Sequence, residues 1–98
     1  FPHAEALRLI TGLPFYTGSF VRLGDRGYNM ERLYNSREGL TGKDDSLPDR
    51  LTKTPQDPNN PKTIVNLDKM LPVYYRIRGW NPDGSPSKRT LRKLGIRV

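Results

Sequence analysis

Cysteine is absent from this 98-residue sequence, and His3 is its one histidine. Disulfide bonds, cysteine-type zinc sites, cysteine-held iron–sulfur clusters and cysteine nucleophiles are therefore excluded within these residues. A single histidine cannot build a metal site or a catalytic triad without partners that the chain does not visibly supply. We interpret His3 as a surface or interface residue.

Long apolar runs are also missing. Hydrophobic residues make up 34% of the chain and never occur more than three in a row, whereas a membrane-spanning helix needs about 20. The composition therefore excludes a transmembrane segment and leaves material for one modest core. The chain starts at Phe1 without an initiator methionine or a secretory leader, so we expect a piece of a longer, cytoplasmic polypeptide.

The charge is unevenly distributed along the chain. Of the net charge of +7, the segment from Arg76 to the end accounts for +6, with seven bases against the single acid Asp83. A basic helix of this kind could meet nucleic-acid phosphates, anionic lipid or an acidic protein. No nucleic-acid-binding motif accompanies the charge, so an ordinary solvated helix is the simpler interpretation.

Helical patterns dominate the sequence, although Gly and Pro together fill 18 positions. Gly24 and Gly27 lie inside the second pattern, where each glycine costs about 1 kcal/mol relative to alanine, which favours close backbone packing there. Pro72 predicts a kink or a later start in the third helix, and Trp80 should fold back on that helix. We predict four helices. The first covers residues 2–12 with Gly12 as its C-cap, and the second runs from a cap at Thr17 or Ser19 to Arg37. The third runs from Asn66 to Gly79, and the fourth starts at Ser85 and Pro86 and runs to Leu94.

The segment 39–65 is rich in turn-forming Gly, Pro, Asp and Asn. It predicts a long, mostly irregular loop, with Leu40, Leu47 and Leu51 as its anchors. The fold prediction is therefore all-α: residues 1–98 as a single helical domain of about four helices, with a long loop over residues 39–65.

Candidate active-site chemistry is sparse. Asp44 and Asp45 are adjacent, which favours turn and cap roles over paired acid–base catalysis. Tyr74, Tyr75 and Trp80 could form a stacking platform but are more typical of core or interface packing. There is no phosphate-binding glycine loop and no serine nucleophile elbow. We therefore assign no catalytic, cofactor-binding or metal-binding residue.

Several blocks of the sequence resemble the C-terminal region of tungsten-containing aldehyde ferredoxin oxidoreductases. They are LGDR at residues 23–26, MERLYNSREG at 30–39, KDDSLPDR at 43–50, and the segment 67–95 with its paired tyrosines, Arg-Gly-Trp and closing Leu-Gly. The resemblance covers most of the chain and is weakest over residues 13–19 and 54–65.

The resemblance implies a parent enzyme that oxidises aldehydes, or other carbonyl compounds, at a tungsten or molybdenum ion held by two pterins. A 4Fe-4S cluster would pass electrons to ferredoxin. The family's cluster ligands are cysteines upstream of this segment, so no ligand or catalytic residue carries over. What carries over is a helical C-terminal domain that helps to enclose the cofactor and substrate channel and packs against the remainder of the parent.

Two expectations about charge follow from the resemblance. The first is that Arg37, Arg50 and Arg78 form ion pairs with Asp44 and Asp45, either buried or exposed and weak. The second is that the basic end steers an acidic ferredoxin toward the parent, through a set consisting of Lys88, Arg89, Arg92 and Lys93. The alternative function is a small basic helical module that binds nucleic acid or an acidic protein.

Overall fold

A computed structural model describes residues 2–97 of the chain. Over that range it contains helices and no named strand, which confirms the all-α prediction; Trp80 and Pro86 form an isolated antiparallel bridge. The five α-helices are α1 (Pro2–Thr11), α2 (Thr17–Arg37), α3 (Asp49–Thr52), α4 (Leu67–Arg78) and α5 (Lys88–Lys93), and two 3-10 turns cover Gly42–Asp44 and Pro61–Thr63.

The ends of α1 and α4 follow their glycines as predicted. Gly12 and Gly79 have φ values of +72° and +73°, the left-handed conformation that closes a helix and is nearly free of strain only in glycine. After Gly79, the Trp80 N–H donates to the Tyr75 carbonyl at 2.8 Å. The indole thereby folds back onto α4 and is buried, which confirms that prediction.

The starts of α2 and α5 differ from the predictions. The N-cap of α2 is Tyr16 rather than Thr17 or Ser19, and its backbone N–H donates to the Ser19 Oγ at 3.0 Å. Helix α5 starts at Lys88 because Pro86 is engaged in the bridge to Trp80; Ser87 is the cap, and its Oγ accepts from the Thr90 N–H at 3.2 Å.

Helix α4 runs from Leu67 to Arg78 with Pro72 inside it. The predicted later start is therefore wrong, because Asn66 caps the helix before the proline, its Oδ1 accepting from the Lys69 N–H at 3.4 Å. Pro72 removes one backbone donor from the helix interior, and the helix tolerates that single loss. The predicted loop over residues 39–65 contains α3 and both 3-10 turns, and the rest of it is irregular.

The structure is elongated and its core is small. The radius of gyration is 17.5 Å and the extents are 53 × 32 × 20 Å, whereas a compact domain of this length has a radius of about 13 Å. The buried apolar residues are Ala4, Tyr75, Trp80, Leu91 and Leu94. Many large apolar side chains on α1, α2 and α4 are consequently left exposed.

Two packing predictions are not met within residues 2–97. A Cβ on Gly24 or Gly27 would meet no atom within 4 Å in the described part of the chain, so these glycines do not serve close packing there. Leu40 and Leu47 are exposed rather than anchoring the loop, and only Leu51 is half-buried. Both sets were expected to face a partner element, and residues 2–97 provide none at these positions.

Across residues 2–97, no helix has the combination of length and apolar character needed to cross a membrane.

Candidate functional site

A polar cluster around Arg32 joins α2 to the first 3-10 turn and to α4. The Arg32 guanidinium donates to both carboxylate oxygens of Asp45, from Nη1 at 2.8 Å and from Nη2 at 2.5 Å. Its Nε donates to the Gly84 carbonyl at 2.7 Å, and the Tyr75 hydroxyl donates to the same carboxylate. This bidentate geometry is the strong form of an ion pair. We call Arg32, Asp45 and Tyr75 the Arg32 cluster.

The electrostatics of the Arg32 cluster keep Asp45 ionised. Hydrogen bonding from Arg32, and then from Tyr75, lowers the pKa of Asp45 against the opposing effect of burial. The pKa of Tyr75 is raised, first by burial and then by its hydrogen bond to Asp45. Both oxygens of Asp45 are occupied by donors, an arrangement that suits a fixed ion pair and not a proton-transfer group.

Two glycines allow the backbone to approach this cluster closely. The Gly42 N–H donates to the Asp83 carbonyl at 2.7 Å, and a Cβ at Gly42 would lie 2.9 Å from the Tyr75 hydroxyl. Gly84 has φ +84°, and a Cβ there would lie 3.2 Å from the Gly42 Cα and collide with Arg32. The turn after α4 and the turn after α2 therefore meet only because both positions lack a side chain.

Trp80 extends the cluster toward α2. Its Nε1 donates to the Asn29 Oδ1 at 2.8 Å, and Asn29 is 2% exposed. Its ring stacks on Tyr28 with centroids 5.9 Å apart, and the Arg32 guanidinium lies 4.7 Å from its centroid. Trp80 is therefore fully engaged in packing, with its one donor satisfied.

A second ion pair reinforces the contact between α2 and α4. The Arg78 Nη1 lies 3.3 Å from the Asp25 Oδ1, and its guanidinium stacks 4.4 Å from the Tyr28 ring centroid and 5.6 Å from that of Tyr74. Tyr75 and Trp80 are buried while Tyr74 contacts both of them, so the aromatic residues pack as predicted.

The predicted ion pairs are wrong in their partners. Arg78 pairs with Asp25, Asp45 pairs with Arg32, and no ion pair joins Arg37 or Arg50 to either aspartate within residues 2–97. Asp44 instead caps the 3-10 turn, its Oδ2 accepting from the Thr41 N–H at 2.8 Å, which confirms the predicted cap role.

Sequence reasoning missed Arg32 and Asn29 as organising residues. Arg32 lies 13 positions from Asp45 and 52 from Gly84. Contacts at such separations leave no helical or strand periodicity in the sequence from which they could be predicted. The block MERLYNSREG contains Arg32 but does not indicate its partner.

Beside the Arg32 cluster, a groove of about 1240 Å³ runs between α4, the turn over residues 81–84 and α5. Leu71, Pro72, Tyr75, Trp80 and Pro82 supply its apolar lining. Lys43, Arg76, Arg89 and Lys93 supply positive charge, and Asp68 and Asp83 supply negative charge. We call this the α4–α5 groove.

Metal-binding groups are not assembled in the described part of the chain. No three His, Cys, Asp or Glu side chains come together in a way that could hold an ion in residues 2–97.

Comparison with known proteins extends these observations. The family model described as aldehyde ferredoxin oxidoreductase, domains 2 and 3, matches residues 2–96. The chain is 40% identical over 97 residues to the tungsten-containing aldehyde ferredoxin oxidoreductase of Pyrococcus furiosus. It is 38% identical to the protein of that name from Pyrococcus abyssi and 37% identical to that from Thermococcus kodakarensis. Each match covers 96% of this chain and 16% of the relative.

Proposed function

The chain belongs to the aldehyde ferredoxin oxidoreductase family, and from this premise we propose that it is the helical C-terminal domain of an oxidoreductase that converts aldehydes to carboxylic acids. In that reaction an aldehyde and water give a carboxylic acid, two protons and two electrons, and the electrons pass to ferredoxin. The proposal is supported by the names of relatives that the chain matches over 96% of its length. The proposed location is the cytoplasm.

Within that enzyme, residues 1–98 serve as one helical packing domain that helps to enclose the cofactor and substrate channel. The carrying observation is an exposed apolar face on α4, formed by Met70, Val73 and Ile77 at helical spacing. Ile77 is 78% exposed and Met70 56%. Apolar faces of this kind are typical of surfaces that are covered in a larger protein, and the relatives are about six times longer than this chain.

The proposed redox centre of the parent is tungstopterin, or molybdopterin, together with a 4Fe-4S cluster. The residues of this chain do not fit these groups as ligands. It has no cysteine for a cluster, and the described side chains form no metal-binding set. The ligands are therefore proposed to come from the rest of the polypeptide, and we assign no catalytic residue to this chain.

The proposed activity is tested on the full-length protein, produced with tungstate and assayed anaerobically for aldehyde-dependent reduction of ferredoxin and of a small dye. We expect one carboxylic acid to form for each two electrons transferred. A full-length protein that binds tungsten but reduces neither acceptor with any aldehyde would contradict the proposal. So would a protein whose main property is salt-sensitive binding to DNA or RNA, which would favour the small basic module.

The packing role has its own test. The substitution Ile77→Lys puts a charge on the apolar face of α4. In the full-length protein we expect the free energy of unfolding to fall by about 2 kcal/mol, because that charge would be buried against the rest of the parent. The matched control is Lys69→Gln on the same helix, an exposed position. Equal melting temperatures for the two variants would contradict the packing role.

A further inference from the structure

The α4–α5 groove combines an apolar floor with a charged rim. Leu71 and Pro72 on α4, Pro82 in the following turn, and Tyr75 and Trp80 supply the apolar lining of the floor. Trp80 is 7% exposed and Tyr75 6%, so both rings are almost wholly covered. Such a floor accepts an apolar side chain but offers no open aromatic face for stacking a nucleic-acid base.

The rim of the groove carries more positive than negative charge. Within residues 2–97, none of Lys43, Arg76, Arg89 and Lys93 takes part in an ion pair, and all four are exposed. They come from three separate elements: the first 3-10 turn, α4 and α5. The groove therefore gathers positive charge from parts of the chain that are far apart in sequence.

The two carboxylates in the lining, Asp68 and Asp83, lower the net charge of the lining from +4 to +2. The Asp83 Oδ1 already accepts hydrogen bonds from the Ser85 N–H at 2.9 Å and the Ser85 Oγ at 2.6 Å. Asp68 lies in the first turn of α4, where the positive end of the helix dipole favours a carboxylate. Within residues 2–97 neither carboxylate forms an ion pair with the four cations, so a net positive rim remains for a ligand of opposite charge.

We propose that the α4–α5 groove is the docking surface for an acidic protein, one that places an apolar side chain on the floor and carboxylates against the rim. The inference rests on the proposed function, under which that protein is the ferredoxin that accepts the electrons. An apolar centre surrounded by complementary charge is the usual anatomy of a specific protein interface. Because Tyr75 and Trp80 are almost wholly covered, the floor offers a nucleic-acid base no aromatic face on which to stack.

Helix α5 offers a matched pair of variants for the test. Arg89 and Lys93 line the groove, whereas Lys88 and Arg92, at the same spacing on the same short helix, do not. The double variants Arg89→Glu/Lys93→Glu and Lys88→Glu/Arg92→Glu change the net charge equally. Steering by overall charge affects both variants alike, whereas docking in the groove affects only the first.

The experiment uses the full-length tungsten-loaded protein with ferredoxin as the probe, at low and at high ionic strength. For the groove variant we expect kcat/KM for ferredoxin to fall about tenfold at low salt, and for the control variant about twofold or less. Reduction of a small dye should be unchanged in both, which shows that folding and aldehyde oxidation are intact. The milder Arg89→Gln/Lys93→Gln variant should show a smaller loss of the same kind.

Equal losses in the two double variants, or no loss in either, would overturn the groove as the docking surface while leaving aldehyde oxidation established by the dye. The proposal would also be overturned if the rest of the polypeptide covers the groove. Hydrogen exchange of α5 in the full-length protein without ferredoxin measures this protection. Absence of dye reduction in the unmodified protein would instead refute the proposed function.

Discussion

Replacing Asp45→Asn tests whether the Arg32 cluster holds the turn after α2 against α4. The substitution preserves the shape of the side chain but removes its charge. Asp45 accepts three hydrogen bonds, two from Arg32 and one from Tyr75. In the variant, Arg32 faces a neutral amide whose Nδ2 cannot accept a hydrogen bond, so the bidentate pair is lost.

The expected cost follows from the burial of the pair. Removing one partner of a fully buried ion pair costs about 3–5 kcal/mol, and hydrogen bonds to charged groups contribute about 1.5–3 kcal/mol. The side chains of Arg32 and Asp45 are 19% and 25% exposed, and the asparagine retains one acceptor oxygen. We therefore expect the local opening free energy to fall by about 2 kcal/mol, a factor of about 30 in the opening equilibrium.

The assay is hydrogen exchange at Gly42 in the full-length protein. The Gly42 N–H donates to the Asp83 carbonyl at 2.7 Å across the contact that the cluster supports, so its exchange reports local opening. We expect exchange about 30-fold faster in Asp45→Asn at neutral pH. The matched control is Asp49→Asn, whose carboxylate is 80% exposed and pairs only with Lys53 at 3.6 Å, and it should change exchange at Gly42 little.

The pH dependence provides a second check with a defined sign. The pKa of Asp45 is lowered in the folded protein, chiefly by hydrogen bonding from Arg32, so its contribution is complete above the pKa of an unfolded aspartate, about 3.9. That contribution is lost as the pH falls through the lowered pKa. The difference between wild type and Asp45→Asn should therefore shrink below about pH 4. An exchange rate within twofold of wild type at pH 7, or a difference that grows in acid, would refute the reasoning.

Other substitutions probe the remaining contacts. Gly84→Ala places a side chain against Arg32 at φ +84°, and we expect it to lower the free energy of unfolding by about 2 kcal/mol in a thermal melt. A Cβ at Gly24 meets open space, so Gly24→Ala should raise the free energy of unfolding by up to about 1 kcal/mol. A melting temperature that is higher for Gly84→Ala than for Gly24→Ala would contradict the packing described. Trp80→Phe removes the hydrogen-bond donor to the Asn29 Oδ1 at 2.8 Å and leaves that buried acceptor without its partner. We therefore expect the free energy of unfolding to fall by about 2 kcal/mol. An unchanged melting temperature would show that Asn29 is not held by Trp80.

The sequence predicted those parts of the fold whose causes are local. The glycines at positions 12 and 79 end their helices because only glycine adopts the left-handed conformation without strain. Asn66 caps α4 through its own side chain. The return of Trp80 onto its helix likewise depends on neighbouring residues. Each of these features could be derived from a few adjacent positions.

Contacts between residues far apart in the sequence were harder to predict. The partner of Asp45 is Arg32, across a loop, and nothing in the spacing separates Arg32 from Arg37, which was expected to pair with an aspartate. Gly24 and Gly27 lie inside α2, as predicted, but the packing element expected for them is not found among residues 2–97. The α4–α5 groove gathers residues from three elements, so it could be seen only once their arrangement was known.

The most direct test of the central claim is a metal analysis of two purified proteins produced under the same conditions with tungstate and iron, the 98-residue chain and the full-length protein. The account predicts tungsten, iron and aldehyde oxidation in the full-length protein. The chain alone should show helical circular dichroism and none of the three. Stoichiometric metal and aldehyde turnover in the 98-residue chain would contradict the account.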